Sequence, residues 1–184
     1  MLVTNNEKFA TRAKTFRSHG INIDYKTREK NGSWFYEMTD LGYNYRITDF
    51  QCALGLSQLN KLDEFITKRN NIAEKYNEAF SEIAGVTPLI NYSEDNLNAY
   101  HLYVIKVENR DSIFKKLRDA GIGVNVHYIP VHLHPYYIKE LGTSKGDLPI
   151  AEQCYEEIIS LPIFPSLSLD DINYVVEKVK ELLS

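Results

Sequence analysis

From Thr48 to Phe80 the chain carries an apolar stripe at helical spacing: Leu59, Leu62, Ile66, Ala73, Tyr76 and Phe80. Lys61, Glu64, Lys68, Glu74 and Lys75 fall mostly off it. Thr48 and Gln51 have the spacing of a capping box, which marks the helix start. The pattern outruns an ordinary globular helix, so a bend or break is expected near Arg69-Asn70-Asn71, and a helix of this length is suited to bridge two domains. Beyond it the pattern changes to short strands and helices, which places a domain boundary near residue 84, with domains 1–84 and 85–184.

Either side of that helix the expected elements are short. Met1 to Thr4 reads as a strand. Asn5 or Asn6 caps a helix with Phe9, Ala13 and Phe16 on one face, ended by His19-Gly20. Residues 22–40 are polar and interrupted by Asn31-Gly32, as in a loop. Val86 to Ile90, Ala99 to Val107 and Gly123 to Ile129 read as strands. Asp111 to Ala120, Asp147 to Ser160 and Ser168 to Leu183 read as helices, the last opened by a Ser168/Asp171 capping box. Pro130 to Pro135 reads as an irregular loop before a short helix. The fold class expected is α/β overall, with α+β character in the C-terminal part.

Bulk properties narrow the function. The 184 residues carry a formal net charge of -4, which argues against a general nucleic-acid surface and leaves only local phosphate binding. No apolar run reaches the length of a membrane span, and the first residues lack a signal-peptide pattern. Cys52 and Cys154 lie far apart on amphipathic stretches, as reduced, core-packed thiols of a cytoplasmic protein would.

The residues best suited to chemistry cluster in two places. Leu41-Gly42-Tyr43-Asn44-Tyr45-Arg46 runs straight into the Thr48 helix start, a placement suited to meeting a phosphate. The Asn44 carboxamide offers two N–H donors without adding charge; its other reading is a turn residue. Arg46 can clamp a phosphate with its planar guanidinium, or pair with Asp40 or Asp49 to order the loop. Tyr43 and Tyr45 can face a ligand or pack at an interface. The second cluster is His127, His132 and His134. Its spacing is too open for a zinc site, and no metal is expected. In a strand from Gly123, Asn125 and His127 would share one face, suited to a ligand mouth. His134 reads as a surface residue. Lys145 sits in a polar loop, where neither burial nor a fixed position would lower its pKa for covalent chemistry. No P-loop, dinucleotide fingerprint or HExxH motif occurs.

Several runs resemble the sugar aminotransferases of the DegT/DnrJ/EryC1/StrS family: Phe16-Arg17-Ser18-His19-Gly20, Tyr36-Glu37-Met38, Leu41 to Asp49, Ala53-Leu54-Gly55-Leu56-Ser57-Gln58-Leu59 and His127-Tyr128-Ile129-Pro130-Val131-His132. The stretch around Tyr36 to Leu62 is most similar to the branch that aminates C4 of UDP-linked 4-keto-6-deoxy-N-acetylhexosamines. The resemblance implies the C-terminal portion of a fold-type-I enzyme: the end of the large domain plus the small domain of a homodimer that uses pyridoxal phosphate (PLP). It implies glutamate as amino donor, a keto nucleotide sugar as acceptor and a role in surface-polysaccharide or pseudaminic-acid-type synthesis. It further implies Asn44 for the cofactor phosphate across a dimer interface, and Arg46, Tyr43, His127 and His132 for the nucleotide sugar. The family's Schiff-base lysine, its aspartate for the pyridine nitrogen and its ring-stacking aromatic belong to an N-terminal half that this chain lacks. No catalytic residue is expected here, and the chain alone is expected to be inactive. The competing expectations are a non-catalytic interaction or dimerisation module docking on a separate N-terminal half, and a fragment of a related PLP-dependent sugar dehydratase.

Overall fold

A computed structural model describes residues 2–89 and 97–183. The chain divides into two compact units, Met1–Asn60 and Lys61–Ser184.

The first unit contains three helices, α1 (Glu7–Arg17), α2 (Tyr25–Lys30) and α3 (Asp49–Leu59). Asn6 caps α1 by accepting from the Lys8 and Phe9 N–H groups at 3.0 and 3.3 Å. Asp24 caps α2 through the Thr27 N–H at 2.9 Å, which puts a helix inside the segment expected to be a loop. Residues 2–4 form no strand. The Thr48/Gln51 capping box opens α3: the Gln51 N–H donates to Thr48 Oγ1 at 3.3 Å and the Thr48 N–H to Gln51 Oε1 at 2.9 Å. None of these three helices has a buried residue. The unit is held instead by backbone crossing. A Cβ on Gly42 would lie 2.0 Å from the Gly20 nitrogen, and one on Gly20 would lie 1.7 Å from the Asp40 carbonyl oxygen. Two glycines are therefore required where the 38–45 segment passes the end of α1.

The second unit starts with α4 (Leu62–Ser81) and continues through β1 (Val86–Pro88), β2 (Tyr103–Val107), α5 (Arg110–Asp119), a 3₁₀ turn (Val131–Leu133), α6 (Pro135–Leu141), α7 (Pro149–Glu157), β3 (Ile158–Leu161) and α8 (Leu169–Leu183). The strands form an antiparallel sheet in the order β1-β2-β3, with Val86 opposite Val107 and Tyr103 opposite Leu161. Alternate residues of β2, Tyr103, Ile105 and Val107, point into a core shared with Tyr76 and Phe80 of α4, Leu117 of α5 and Val179 of α8. The Tyr76, Phe80 and Tyr103 rings pack with centroids 4.9–6.4 Å apart. Tyr76 adds a hydrogen bond from its hydroxyl to the Pro162 carbonyl at 3.0 Å. Burial, with a smaller contribution from the Asp171 charge, pushes the Tyr76 phenol well above its usual range. This mixture of helices and a small antiparallel sheet is the α+β character expected of the C-terminal part.

Several expectations change. The helical pattern breaks at Asn60-Lys61 and runs unbroken through 69–71. The polar residues there bond outward: Arg69 donates to the Tyr100 and Ile163 carbonyls at 3.0 and 2.9 Å, and Asn70 to the Asn98 carbonyl at 2.9 Å. By contacts α4 thus belongs to the second unit, upstream of the compositional boundary at residue 84. Ile158–Leu161, expected as the end of a helix, is a fully buried strand; an apolar run buried on both faces shows no alternation to betray it. The segment 123–129 is no strand but makes one bridge, Asn125 to Ser160, with N–H···O distances of 3.2 and 2.8 Å. Asn125 Oδ1 takes the next backbone donor, the Val126 N–H, at 2.8 Å, diverting it from a ladder. The strand expected at 86–90 ends at Pro88, and Ile90 lies outside the described residues. Cys52 is exposed and Cys154 half-buried, so neither thiol is part of the core.

Candidate functional site

In the first unit, the Tyr43 to Arg46 segment is pinned to the end of α1 by three backbone bonds. The Tyr43 N–H donates to the Phe16 carbonyl (2.8 Å), the His19 N–H to the Tyr43 carbonyl (2.9 Å) and the Tyr45 N–H to the Arg17 carbonyl (3.0 Å). Tyr43 and Tyr45 stack at 5.2 Å with a 9° interplanar angle, and Phe16 packs against Tyr43 at 5.2 Å. The aromatic set braces the loop from one side.

Asn44 and Arg46 form an exposed polar pair. The Arg46 Nε donates to Asn44 Oδ1 at 3.1 Å, and Nη2 lies 3.3 Å from His19 Nε2. A guanidinium only donates, so this contact fixes the amide orientation: Oδ1 faces Arg46, and the Nδ2 donors have no partner among the described residues. Arg46 pairs with neither Asp40 nor Asp49; Asp40 instead meets Arg12 at 3.4 Å. Two N–H donors beside a cation, on a braced loop, have the chemistry to meet an anion.

The second unit holds the histidines in separate environments. His127, half-buried, places Nδ1 2.8 Å from Ser160 Oγ and Nε2 3.3 Å from Asn125 Nδ2. His132 is 7% exposed, and its Nε2 lies 2.8 Å from Glu152 Oε1. That ring is turned inward onto Glu152. The Glu152 carboxylate also accepts the Gly146 N–H at 2.8 Å and the Leu148 N–H at 3.4 Å. The Thr143 hydroxyl donates to the His132 carbonyl at 2.7 Å. These bonds, the His132 contact first, hold the Glu152 carboxyl below the usual carboxylate range. The pair ties the 131–134 turn to the 143–148 loop. Lys145, in that loop, is 77% exposed and reaches Glu156 at 3.6 Å. Among the described residues no three His, Cys, Asp or Glu side chains come together as metal ligands, and no helix is long and apolar enough to cross a membrane.

Asn44, Arg46 and Tyr43 therefore stand together in one unit, and His127 and His132 in the other. Sequence reasoning had no signal for Glu152 or Ser160, which are distant in sequence from the histidines they bond. Asn125 was visible only as a neighbour on the face of His127.

The DegT/DnrJ/EryC1/StrS aminotransferase family model matches residues 1–180. The chain is 38% identical to the spore coat polysaccharide biosynthesis protein SpsC of Bacillus subtilis, covering all of this chain and 49% of that protein. It is 30% identical to Helicobacter pylori PseC, an aminotransferase involved in the biosynthesis of pseudoaminic acid, with a TM-score of 0.86 over 98% of this chain and 47% of that one. A Streptococcus pneumoniae protein assigned as a sugar aminotransferase and solved in its PMP form is 30% identical, with a TM-score of 0.88 over 97% of this chain and 46% of that one. The chain spans about half the length of the curated relatives it matches. With its fold and the matched stretch from residue 1 to residue 180, the chain belongs to the DegT/DnrJ/EryC1/StrS aminotransferase family.

Proposed function

We propose that this chain forms the C-terminal part of a PLP-dependent aminotransferase that converts a nucleotide-linked 4-keto-6-deoxy sugar to the 4-amino sugar, with glutamate as donor. The observation that carries this reading is the braced Tyr43–Arg46 loop, whose outward amide donors and guanidinium are suited to an anion in a chain of this family. Similarity to PseC and SpsC supports a sugar substrate for surface-polysaccharide or pseudaminic-acid-type synthesis.

Asn44 fits the cofactor's phosphate: its outward N–H groups can donate to phosphate oxygens, and Arg46 contributes positive charge beside them. When bound, PLP supplies the electron sink for the amino transfer. In this assignment Arg46, Tyr43 and His127 are the residues that contact the nucleotide sugar. His132 acts as a positioning residue, holding the turn that follows Pro130. On this reading no residue of the chain moves the α-proton, in keeping with a Lys145 that is solvated and paired with Glu156, and the chain on its own is inactive. In this reading residues 1–84 are the end of the large domain, with α4 counted there although its contacts lie with the second unit, and 85–184 are the small domain. The work is cytoplasmic and the assembly a homodimer or a pair with a separately made lysine-bearing half.

The absence of buried residues from α1, α2 and α3 supports the need for such a complement. Phe50, Leu54, Leu56 and Leu59 of α3 are all more than half exposed, with values of 80%, 55%, 65% and 59%. The test is to co-express the chain with the lysine-bearing half of a family member and to assay amino transfer from glutamate to UDP-linked 4-keto-6-deoxy-N-acetylhexosamine. Turnover by the pair, strongly reduced by Asn44→Ala, is expected. A stable pair with no turnover of keto-sugar nucleotides would overturn the reading.

A further inference from the structure

His127 is bonded on both ring nitrogens, and only one arrangement of protons satisfies the network. The Val126 N–H donates to Asn125 Oδ1 at 2.8 Å, which fixes that amide: its oxygen faces the backbone and its Nδ2 faces the ring. Asn125 Nδ2 lies 3.3 Å from His127 Nε2. Nδ2 carries only donors, so Nε2 must be the acceptor and cannot bear the proton of a neutral ring. The proton is then on Nδ1, which donates to Ser160 Oγ at 2.8 Å. The opposite tautomer would set an N–H against the Asn125 N–H groups. Flipping the Asn125 amide to relieve that clash would set its NH₂ against the Val126 N–H. Ser160 is 4% exposed and its backbone is doubly bonded to Asn125, so the ring is tied to β3 on its Nδ1 side. The hydrogen bond at its Nε2 is to the exposed Asn125 amide.

We propose that Asn125 and Ser160 hold His127 as the Nδ1–H tautomer, presenting Nε2 as an acceptor that reads a hydroxyl or amide N–H of the bound sugar. This rests on the nucleotide-sugar reading above and deepens it. A phosphate oxygen is an acceptor only and would face the Nε2 lone pair, so the diphosphate is excluded as the neutral ring's partner. Asn125 Nδ2, displaced from Nε2 by an incoming donor, becomes free to donate to a sugar oxygen. The pair would then read one donor and one acceptor of the same ligand, a demand that the fully ionised diphosphate of a nucleotide sugar cannot meet.

Long-range ¹H–¹⁵N NMR of the uniformly labelled chain at a pH near 8, where an ordinary imidazole is neutral, reads the tautomer directly. The expected result is protonated Nδ1 and unprotonated Nε2 for His127, with Asn125→Ala and Ser160→Ala each raising the Nε2–H population. A wild-type ring protonated on Nε2 would overturn the assignment. The same sample is then titrated with UDP-N-acetylglucosamine, UDP and inorganic phosphate. The His127 ring signals should move with the nucleotide sugar and stay in place with UDP or phosphate. Movement with phosphate alone would overturn the sugar contact. Shifts at Asn44 and Arg46 without any at His127 would overturn this inference and leave the functional proposal standing. The absence of shifts anywhere would count against both.

Discussion

Single side chains carry most of the account's weight, and two of them set testable expectations. Glu152 is a carboxylate that accepts from His132, Gly146 and Leu148, and these bonds lower its pKa from an ordinary value near 4.5. The sign follows: a carboxyl with a depressed folded pKa contributes stability that is present above its unfolded value and lost as pH falls through the folded one. The second unit should therefore lose stability on acidification below about pH 4.5, the ordinary carboxyl value. Glu152→Gln should lower the melting temperature at pH 7 by several degrees and flatten that acid dependence, as followed by circular dichroism. A variant with an unchanged pH profile would show that Glu152 is not the titrating group. Asn44 makes a contrasting case, because its donors point outward and the fold does not need them. Asn44→Ala should leave the melting temperature unchanged and weaken PLP binding by the reconstituted pair roughly 10- to 100-fold, the worth of hydrogen bonds to a charged phosphate; a fluorescence titration measures it.

At the scale of elements, the crossing of the 38–45 segment over the end of α1 sets the Tyr43–Arg46 loop. A methyl group on Gly42 would collide with the Gly20 nitrogen at 2.0 Å and the His19 carbonyl carbon at 2.6 Å, all backbone that cannot swing aside. Gly42→Ala should cost about 1–3 kcal/mol and abolish amide protection at Tyr43 and Tyr45 in hydrogen exchange. Protection equal to wild type would contradict the crossing. In α4, Tyr76→Phe removes the hydrogen bond to the half-buried Pro162 carbonyl and should cost about 1–2 kcal/mol, read from the urea midpoint. The capping boxes at Thr48 and Ser168, the stripe of Ala73, Tyr76 and Phe80 and the helix over 169–183 were legible in the sequence, because each is written in local spacing. The strand 158–161 was not, since its identity comes from pairing with β2. The break at Asn60-Lys61 was not legible either. The Arg69-Asn70-Asn71 run looks like an interruption until its side chains are seen bonding the 98–100 and 163 backbone. The Tyr43–Arg46 loop was found from its motif, whereas the Glu152 clamp and the Ser160 contact exist only in three dimensions.

The whole chain is two units of unlike character. The second has its own core, with Tyr76, Ile105, Leu117, Ile159 and Val179 at 0% exposure, and its packing accounts for its stability. The first is arranged around backbone bonds, with large apolar side chains such as Trp34 and Phe50 at 83% and 80% exposure, as suits a surface meant to be covered. That asymmetry fits a polypeptide spanning about half the length of its family relatives, and under the proposed function the proton-moving lysine would come from another segment. The most direct measurement is amino transfer from glutamate to UDP-linked 4-keto-6-deoxy-N-acetylhexosamine, with PLP present, by the purified chain alone and by the chain co-expressed with a lysine-bearing half. The account predicts no turnover above background for the chain alone and turnover for the pair; sustained turnover by the chain alone would contradict it.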